Sequence, residues 1–354
     1  MRTFLALCGF LLLAACNSKK TTENRAETLQ EESKDTLMGS NFIVAFASCN
    51  DQDRPQPLWE AILENSPEAF IWLGDNIYAD TDDMEKMKND YDKVLSNSSY
   101  QKLVESIPVL GTWDDHDFGK NDAGVHWEKK DEAQQLFWNF MQVPEEDSLR
   151  QQKGVYHSKT LNSTKGSIKV ILLDTRYFRD PLRKNEGEGG PYIPWDADHK
   201  GTILGASQWQ WLEKELLSSE ADFTVLVSSI QVISKEHFWE KWYNFPKETQ
   251  KLKSLISKSS SPVIILSGDR HMAEISVENI PEMSYPLVDF TSSGLTHTWL
   301  DGPTEGNSFR VSNVVKKLNF GILRFNFEAR EVTFEIRGEN NFLYDTYTQQ
   351  FPNL

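Results

Sequence analysis

Three cysteines in 354 residues leave little material for a disulfide framework. Cys8 and Cys16 stand close to the N-terminus, so Cys49 is the sole thiol of the rest of the chain and has no intrachain partner there. Positive charge is scarce as well. Lys and Arg number 37 against 53 Asp and Glu, and a net charge of −16 argues against a broad nucleic-acid interface, because phosphate backbones attract basic surfaces. No Gly-x-Ser-x-Gly elbow supports a serine hydrolase, and no glycine-rich loop opens a helix to cradle a nucleotide. The apolar run from Thr3 to Ala15 falls short of the roughly 20 residues a bilayer-spanning helix needs. Internal repeats and low-complexity blocks are lacking in the folded part. What such an acidic chain can offer is clustered carboxylates for cations.

The apolar and aromatic content suits a large packed core. Arg2 followed by the run from Thr3 to Ala15 has the layout of a secretory signal. Leu13-Ala14-Ala15-Cys16 resembles the lipobox of bacterial lipoproteins, in which the cysteine is acylated and becomes the new N-terminus. The expected organisation is therefore a signal peptide over 1–15, a lipidated polar tether over 16–40, and one domain over 41–354. An exported, membrane-anchored lipoprotein is expected, facing the periplasm or the cell surface, held by a lipid on Cys16 and monomeric. Cys49, after an apolar run, reads by itself as a small buried residue.

The organising stretch is Phe70-Ile-Trp-Leu-Gly-Asp-Asn-Ile-Tyr-Ala-Asp80, a buried strand that delivers Asp75 and Tyr78 to the edge of a sheet. Before it, Phe42 to Phe46 reads as a strand and Leu58, Ala61 and Ile62 as one face of a helix, giving a β-α-β unit. Helices are expected over 82–95, 100–105 and 131–141, and strands over 107–113, 170–173, 223–227 and 262–266. Ser207-x-x-Gln210 suggests a capping box for a helix that packs through Trp209, Leu212 and Leu216. Residues 184–201 read as a long surface loop. Beyond 320 the apolar period becomes two, as in antiparallel strands: Leu323, Phe325 and Phe327, then Val332, Phe334 and Ile336. The fold class is α/β. Six apolar strands each end in polar residues of ligand or catalytic type, and the carboxyl ends of parallel strands are where such folds bind ligands.

Cys49, Asp75, Tyr78, Asp115, Asp269 and His271 could thus converge on one rim. Thiolate and phenolate are anionic donors suited to trivalent iron, whereas carboxylates and water suit calcium, magnesium or manganese. Asp75, between them, is the natural bridge. Two adjacent cations lower the pKa of a bound water, supply a hydroxide to attack phosphorus, and neutralise phosphoryl charge. His116 and Arg270 could then bind the phosphate.

The ordered fragments Phe46-Ala-Ser-Cys49, Gly74-Asp-Asn-Ile-Tyr78, Thr112-Trp-Asp-Asp-His-Asp117, Leu172-Leu-Asp-Thr-Arg-Tyr-Phe-Arg179 and Ser267-Gly-Asp-Arg-His271 resemble the alkaline phosphatase D (PhoD-like) family of the calcineurin-like metallophosphoesterase superfamily. The likeness runs from about Asn41 onward. It implies a four-layer α-β-β-α sandwich of two mixed sheets, with metals at the carboxyl ends of the strands. It also implies an iron site from Cys49, Asp75, Tyr78 and His271, and a calcium-type site from Asp75, Asp115 and Asp269. The implied activity is metal-dependent hydrolysis of phosphoesters, with diester or mixed specificity favoured. A further calcium on Asp117 and Asn121 is a weaker expectation. The superfamily pattern carries more histidine and asparagine than stand here at Cys49, Asp115 and Asp269. Neither the N-terminal β-sandwich of longer relatives nor a twin-arginine signal is visible, so metal loading is expected outside the cytoplasm.

Other readings compete for some of these residues. Asp114, Asp115 and His116 could be a helix N-cap with solvated acids. Asp174, Arg176 and Arg179 are expected to form a buried ion-pair network behind the rim. The run His237 to Phe245 could line a cleft or form an amphipathic helix with its loop, and His297 and Trp299 could stand near the site. The alternative function is a non-catalytic surface lipoprotein that binds glycans, motivated by the anchor and the eleven tryptophans.

Overall fold

The computed structural model describes residues 42–300 and 304–353. The expected signal peptide and tether, 1–40, lie outside the described residues. In chain order the first part comprises β1 (Phe42–Ala47), α1 (Leu58–Leu63), β2 (Ala69–Leu73), α2 (Met84–Leu95), α3 (Ser98–Ser106), β3 (Val109–Thr112), α4 (Asp115–Phe118) and α5 (Lys130–Phe140). The middle comprises β4 (His157–Asn162), β5 (Ser167–Leu172), α6 (Gly205–Leu217), β6 (Phe223–Val227), α7 (Pro246–Ile256) and β7 (Val263–Ser267). The last part holds five strands and a 3₁₀ turn (Glu339–Asn341): β8 (Ala273–Glu278), β9 (Leu287–Ser292), β10 (Phe320–Asn326), β11 (Glu331–Arg337) and β12 (Leu343–Gln350).

These strands form two six-stranded mixed sheets, ordered β12-β11-β10-β1-β2-β3 and β4-β5-β6-β7-β9-β8. Within the first, β1, β2 and β3 run parallel, and β10 adds antiparallel to β1. Within the second, β5, β6, β7 and β9 are parallel, with β4 and β8 antiparallel at the edges.

The apolar pattern explains the layering. On β1, Phe42, Val44 and Phe46 point into a core shared with Val170, Val225, Leu266 and Phe290 of the other sheet, while Ala45 and Ala47 face Trp59, Trp138 and their helical neighbours. A strand covered on both sides reads as a continuous apolar run, as β2, β6 and β7 do. Outside the second sheet, Leu226 and Ile265 pack against Leu212, Leu216 and Leu252 of α6 and α7. The result is the four-layer α-β-β-α sandwich. Helix starts are set by local chemistry: Asp83 accepts from the amides of Glu85 and Lys86, and Asn97 from those of Ser99 and Tyr100. Each cap is worth about 1 kcal/mol.

Several expectations are corrected. The apolar periodicity does not reveal β4, β8, β9 and β12, which complete the two sheets. Ser207 lies inside α6 rather than capping it, because Thr202 Oγ1 already accepts the Gly205 amide at 3.0 Å, one turn earlier. The run His237 to Phe245 forms no α-helix. Only a 3₁₀ turn, Trp242–Asn244, interrupts it, since His237, Glu240 and Lys241 are turned inward to polar partners. Among the described residues no helix is long and apolar enough to cross a membrane.

Candidate metal centre

The loops that leave β1, β2, β3, β6, β7 and β9 are tied to one another. Asn50 N donates to Asp75 O (2.8 Å), Gly268 N to Ser229 O (2.9 Å), and Leu295 N to Ser48 O (3.1 Å). Gly74 turns the chain out of β2 with φ +99, where a Cβ would stand 2.6 Å from Cβ of Asp114. Glycine is therefore required for the β2 and β3 loops to touch.

Three groups of ligating atoms result, the atoms of each within 4.8 Å of one another: Cys49, Asp75 and His271; Asp75, Asp115 and His116; Asp114, Asp115 and Asp269. Asp75 belongs to two of them. Its Oδ2 lies 3.3 Å from Cys49 Sγ and 3.4 Å from the Tyr78 hydroxyl, which is itself 2.9 Å from His271 Nε2. All six residues singled out as ligands from sequence thus meet at one place. Cys49, Asp75 and Asp115 form a buried floor, and Tyr78, Asp269 and His271 are more open to solvent.

The backbone is strained here. Cys49 (φ 60), Asp75 (φ 50), Asp269 (φ 68) and His271 (φ 52) all adopt the left-handed conformation, which costs a residue with a Cβ roughly 1–3 kcal/mol. A buried carboxylate oxygen, Oδ1 of Asp75, has no hydrogen-bond partner, nor do Oδ2 of Asp114 and Nδ1 of His271.

Electrostatics point the same way. Burial pushes the Cys49 thiol up to about 11, and burial together with the charge at Cys49 raises Asp75 well above the carboxylate range. Asp269 is raised by burial and by Asp114. Burial also opposes ionisation of Asp115, but Arg176 and His116 outweigh it and hold that group down at about 2. At His116 burial disfavours the charged ring, yet Asp115, Asp75 and Asp80 push it up to about 11; its Nδ1 is 2.7 Å from Asp80 Oδ2, and its ring centroid is 4.1 Å from that of Tyr78. So much buried negative charge, with open lone pairs and a soft sulfur on one side, fits cations: a thiolate, phenolate and imidazole set for one, carboxylates for the other.

Residues 43–329 match the model of the PhoD-like phosphatases. The chain belongs to that family. Alkaline phosphatase D of Bacillus subtilis (strain 168) is 26% identical over 239 residues, an alignment that covers 60% of this chain and 40% of that protein. The match therefore spans less than half the length of that relative. Among solved structures, one described as the structure of PhoD superposes with a TM-score of 0.67 at 19% identity, covering 88% of this chain and 69% of that one. A dimetal phosphatase from Danio rerio superposes at 0.50 with 13% identity, covering 88% of this chain and 100% of that one. At these identities the two structures establish the fold.

In this PhoD-like chain the residues that support the site agree only in part with what the sequence suggests. Arg176 and Arg179 do form a buried ion network, but Asp174 is not its acid. Asp174 instead accepts the amides of Val155, Arg176 and Tyr177, and the acid is Glu240, 2.6 Å from Arg176 Nη1 and 2.8 Å from Arg179 Nε. Arg176 Nε also holds Asp114 Oδ1 at 2.5 Å. Asp114 does stand at the N-cap of α4, yet the acids around it are buried rather than solvated. Asp117 accepts from the amides of Asp114 and Asn76 and from the Asn76 side chain, while exposed Asn121 donates to Asp122, so a further calcium on Asp117 and Asn121 finds no support. Ser293, which carries no signal in the sequence because β9 has no clear apolar alternation, also reaches the site: its hydroxyl is 3.0 Å from Cys49 Sγ and accepts the His271 amide at 2.7 Å.

Proposed function

We propose that this chain is a metal-dependent phosphoester hydrolase. The observation that carries the reading is Asp75, a strained, buried carboxylate with one oxygen unsatisfied, shared by two clusters of unlike donors. Cys49, Tyr78 and His271 would hold one cation with Asp75, and thiolate and phenolate favour Fe(3+) there. Asp115 and Asp269 would hold the other, with Asp114 beside them, and carboxylate oxygens favour Ca(2+), or Mn or Mg. When bound, such a pair supplies Lewis acidity that activates water and neutralises phosphoryl charge.

The chain's own residues do the rest. His116, whose Nδ1 is held by Asp80, and Arg270 would bind phosphoryl oxygens and stabilise charge as phosphorus becomes five-coordinate. Arg270 is positioned for this by Asp269, 3.8 Å away, and by an ion pair with Glu305. Arg176 and Glu240 keep Asp114 in place. The same reading includes export and anchoring through a lipid on Cys16. The competing glycan-binding reading rests on tryptophan platforms, but Trp59, Trp72, Trp113, Trp138, Trp209 and Trp242, six of the eleven, are buried and build the core.

Hydrolysis of p-nitrophenyl mono- and diesters by protein supplied with iron and calcium tests the proposal. Asp75→Ala and Cys49→Ala are expected to lose at least 100-fold in kcat/KM, on the scale of roughly 3 kcal/mol typical for electrostatic catalytic groups. Full activity in either variant, or no turnover by the parent, rejects it. An iron-tyrosinate absorption band that is lost in Tyr78→Phe would identify the first metal.

A further inference from the structure

At the open side of the site, polar and apolar chemistry meet. Trp299 is 42% exposed, unusual for so large a ring, and its neighbour Leu300 is 68% exposed. Trp299 is not a stray surface residue. Its amide donates to the His271 carbonyl at 3.1 Å, its ring centroid is 5.7 Å from that of His271, and it meets Trp239 edge-to-face at 4.7 Å. Trp239 in turn lies under the Arg270 guanidinium, 5.7 Å from its ring centre. The Trp239 backbone is pinned at both ends: its amide donates to His237 Nδ1 at 3.3 Å, and its carbonyl accepts from buried Lys241 Nζ at 3.1 Å. A solvent-exposed indole is thus braced by a fixed one, directly beside the two residues that bracket the phosphate and metal positions.

We propose that Trp299, braced by Trp239, is a stacking platform for a flat ring on the phosphoester, so that the enzyme prefers esters with an aryl-type arm over those whose arms are small alkyl groups. The inference rests on the hydrolase reading above. Arg270 and Trp299 line one cleft and both contact Trp239, so a ring carried by a phosphoryl group at Arg270 would be directed to the Trp299 side. The platform supplies dispersion and apolar burial without hydrogen-bond readout, so it distinguishes a ring from an alkyl chain but reads little else.

Competitive inhibition by inorganic phosphate, methylphosphonate and phenylphosphonate tests this in the metal-loaded protein. The two phosphonates differ in their single carbon arm and are not hydrolysed. Phenylphosphonate is expected to bind about tenfold more tightly than methylphosphonate to the parent, a preference that Trp299→Ala abolishes and Trp299→Phe largely keeps, with inorganic phosphate unchanged throughout. Equal affinity of the two phosphonates for the parent, or a ring preference that survives in Trp299→Ala, overturns the proposal. So does a parallel loss of inorganic phosphate binding in Trp299→Ala, which would mean that the ring only positions Arg270. Absence of turnover and of phosphate binding in the parent is a different failure, that of the hydrolase reading itself.

Discussion

His237 is held neutral by its surroundings. Burial lowers its pKa well below the ordinary value, and the nearby charges of Arg270 and Lys241 lower it further. Its Nδ1 accepts from the Trp239 amide, so Nε2 must carry the proton and donate to Gln231 Oε1 at 3.0 Å. A second ring proton would face an N–H donor. Between the folded pKa and the unfolded value near 6.5, the unfolded chain binds more protons, so stability rises with pH in that window and is lost as pH falls below about 6.5. The loss is expected to approach 1.4 kcal/mol per pH unit from this one group. Urea unfolding at pH 7.5, 6.0 and 5.0 should show that His237→Gln removes that part of the acid slope; an unchanged slope would contradict it. The residue types of the candidate metal site are legible in the chain as acids, a thiol and a phenol at strand ends. Their left-handed backbone is not, because φ at Cys49, Asp75, Asp269 and His271 is imposed by loops that meet only in three dimensions.

At the scale of elements, the turn after β2 couples fold to site. Gly74→Ala would place a Cβ 2.6 Å from Asp114 Cβ and 2.8 Å from Asp114 N, on a backbone at φ +99. Neither contact can yield by rotating a side chain. Strain plus overpacking is expected to cost roughly 2–5 kcal/mol and to separate Asp75 from Asp114 and Asp115. The check is thermal unfolding together with metal content after desalting: a lowered Tm and incomplete retention are expected, and parent-like values in both would contradict the prediction. The buried apolar strands β2 and β6 and the amphipathic helices α2 and α5 are legible in the sequence because packing and local preference agree there. β4 is not, since two of its residues between His157 and Asn162 are half-buried and three are exposed, as befits an edge strand. β8 and β12 are edges too, recognisable only by the neighbour each pairs with.

Across the whole molecule, one ion network clamps the two sheets at the site. Asp114 follows β3 of the first sheet and Arg176 follows β5 of the second, and Glu240, on the irregular segment before α7, joins Arg176 to Arg179. All four side chains are at most 1% exposed. Removing one member leaves buried charge uncompensated, so Glu240→Ala is expected to destabilise by about 3–5 kcal/mol in urea unfolding and to weaken metal retention through Asp114. A change below about 1 kcal/mol would show that the network is not a clamp. Glu240 sits among aromatics in a segment whose period suggests a helix, and its partners lie more than sixty positions away, so only the assembled sheets reveal its role.

The sequence alone determined the α/β class, the parallel strands with polar ends, and the chemistry of the candidate ligands, because those depend on local periodicity and on which side chains follow each apolar run. The tertiary structure decided how the strands divide into two sheets, which acid answers Arg176 and Arg179, that Ser293 touches the Cys49 thiol, and that Trp299 stands braced over the opening. Each of these is a contact between residues far apart in the chain, set by sheet packing rather than by neighbours in sequence.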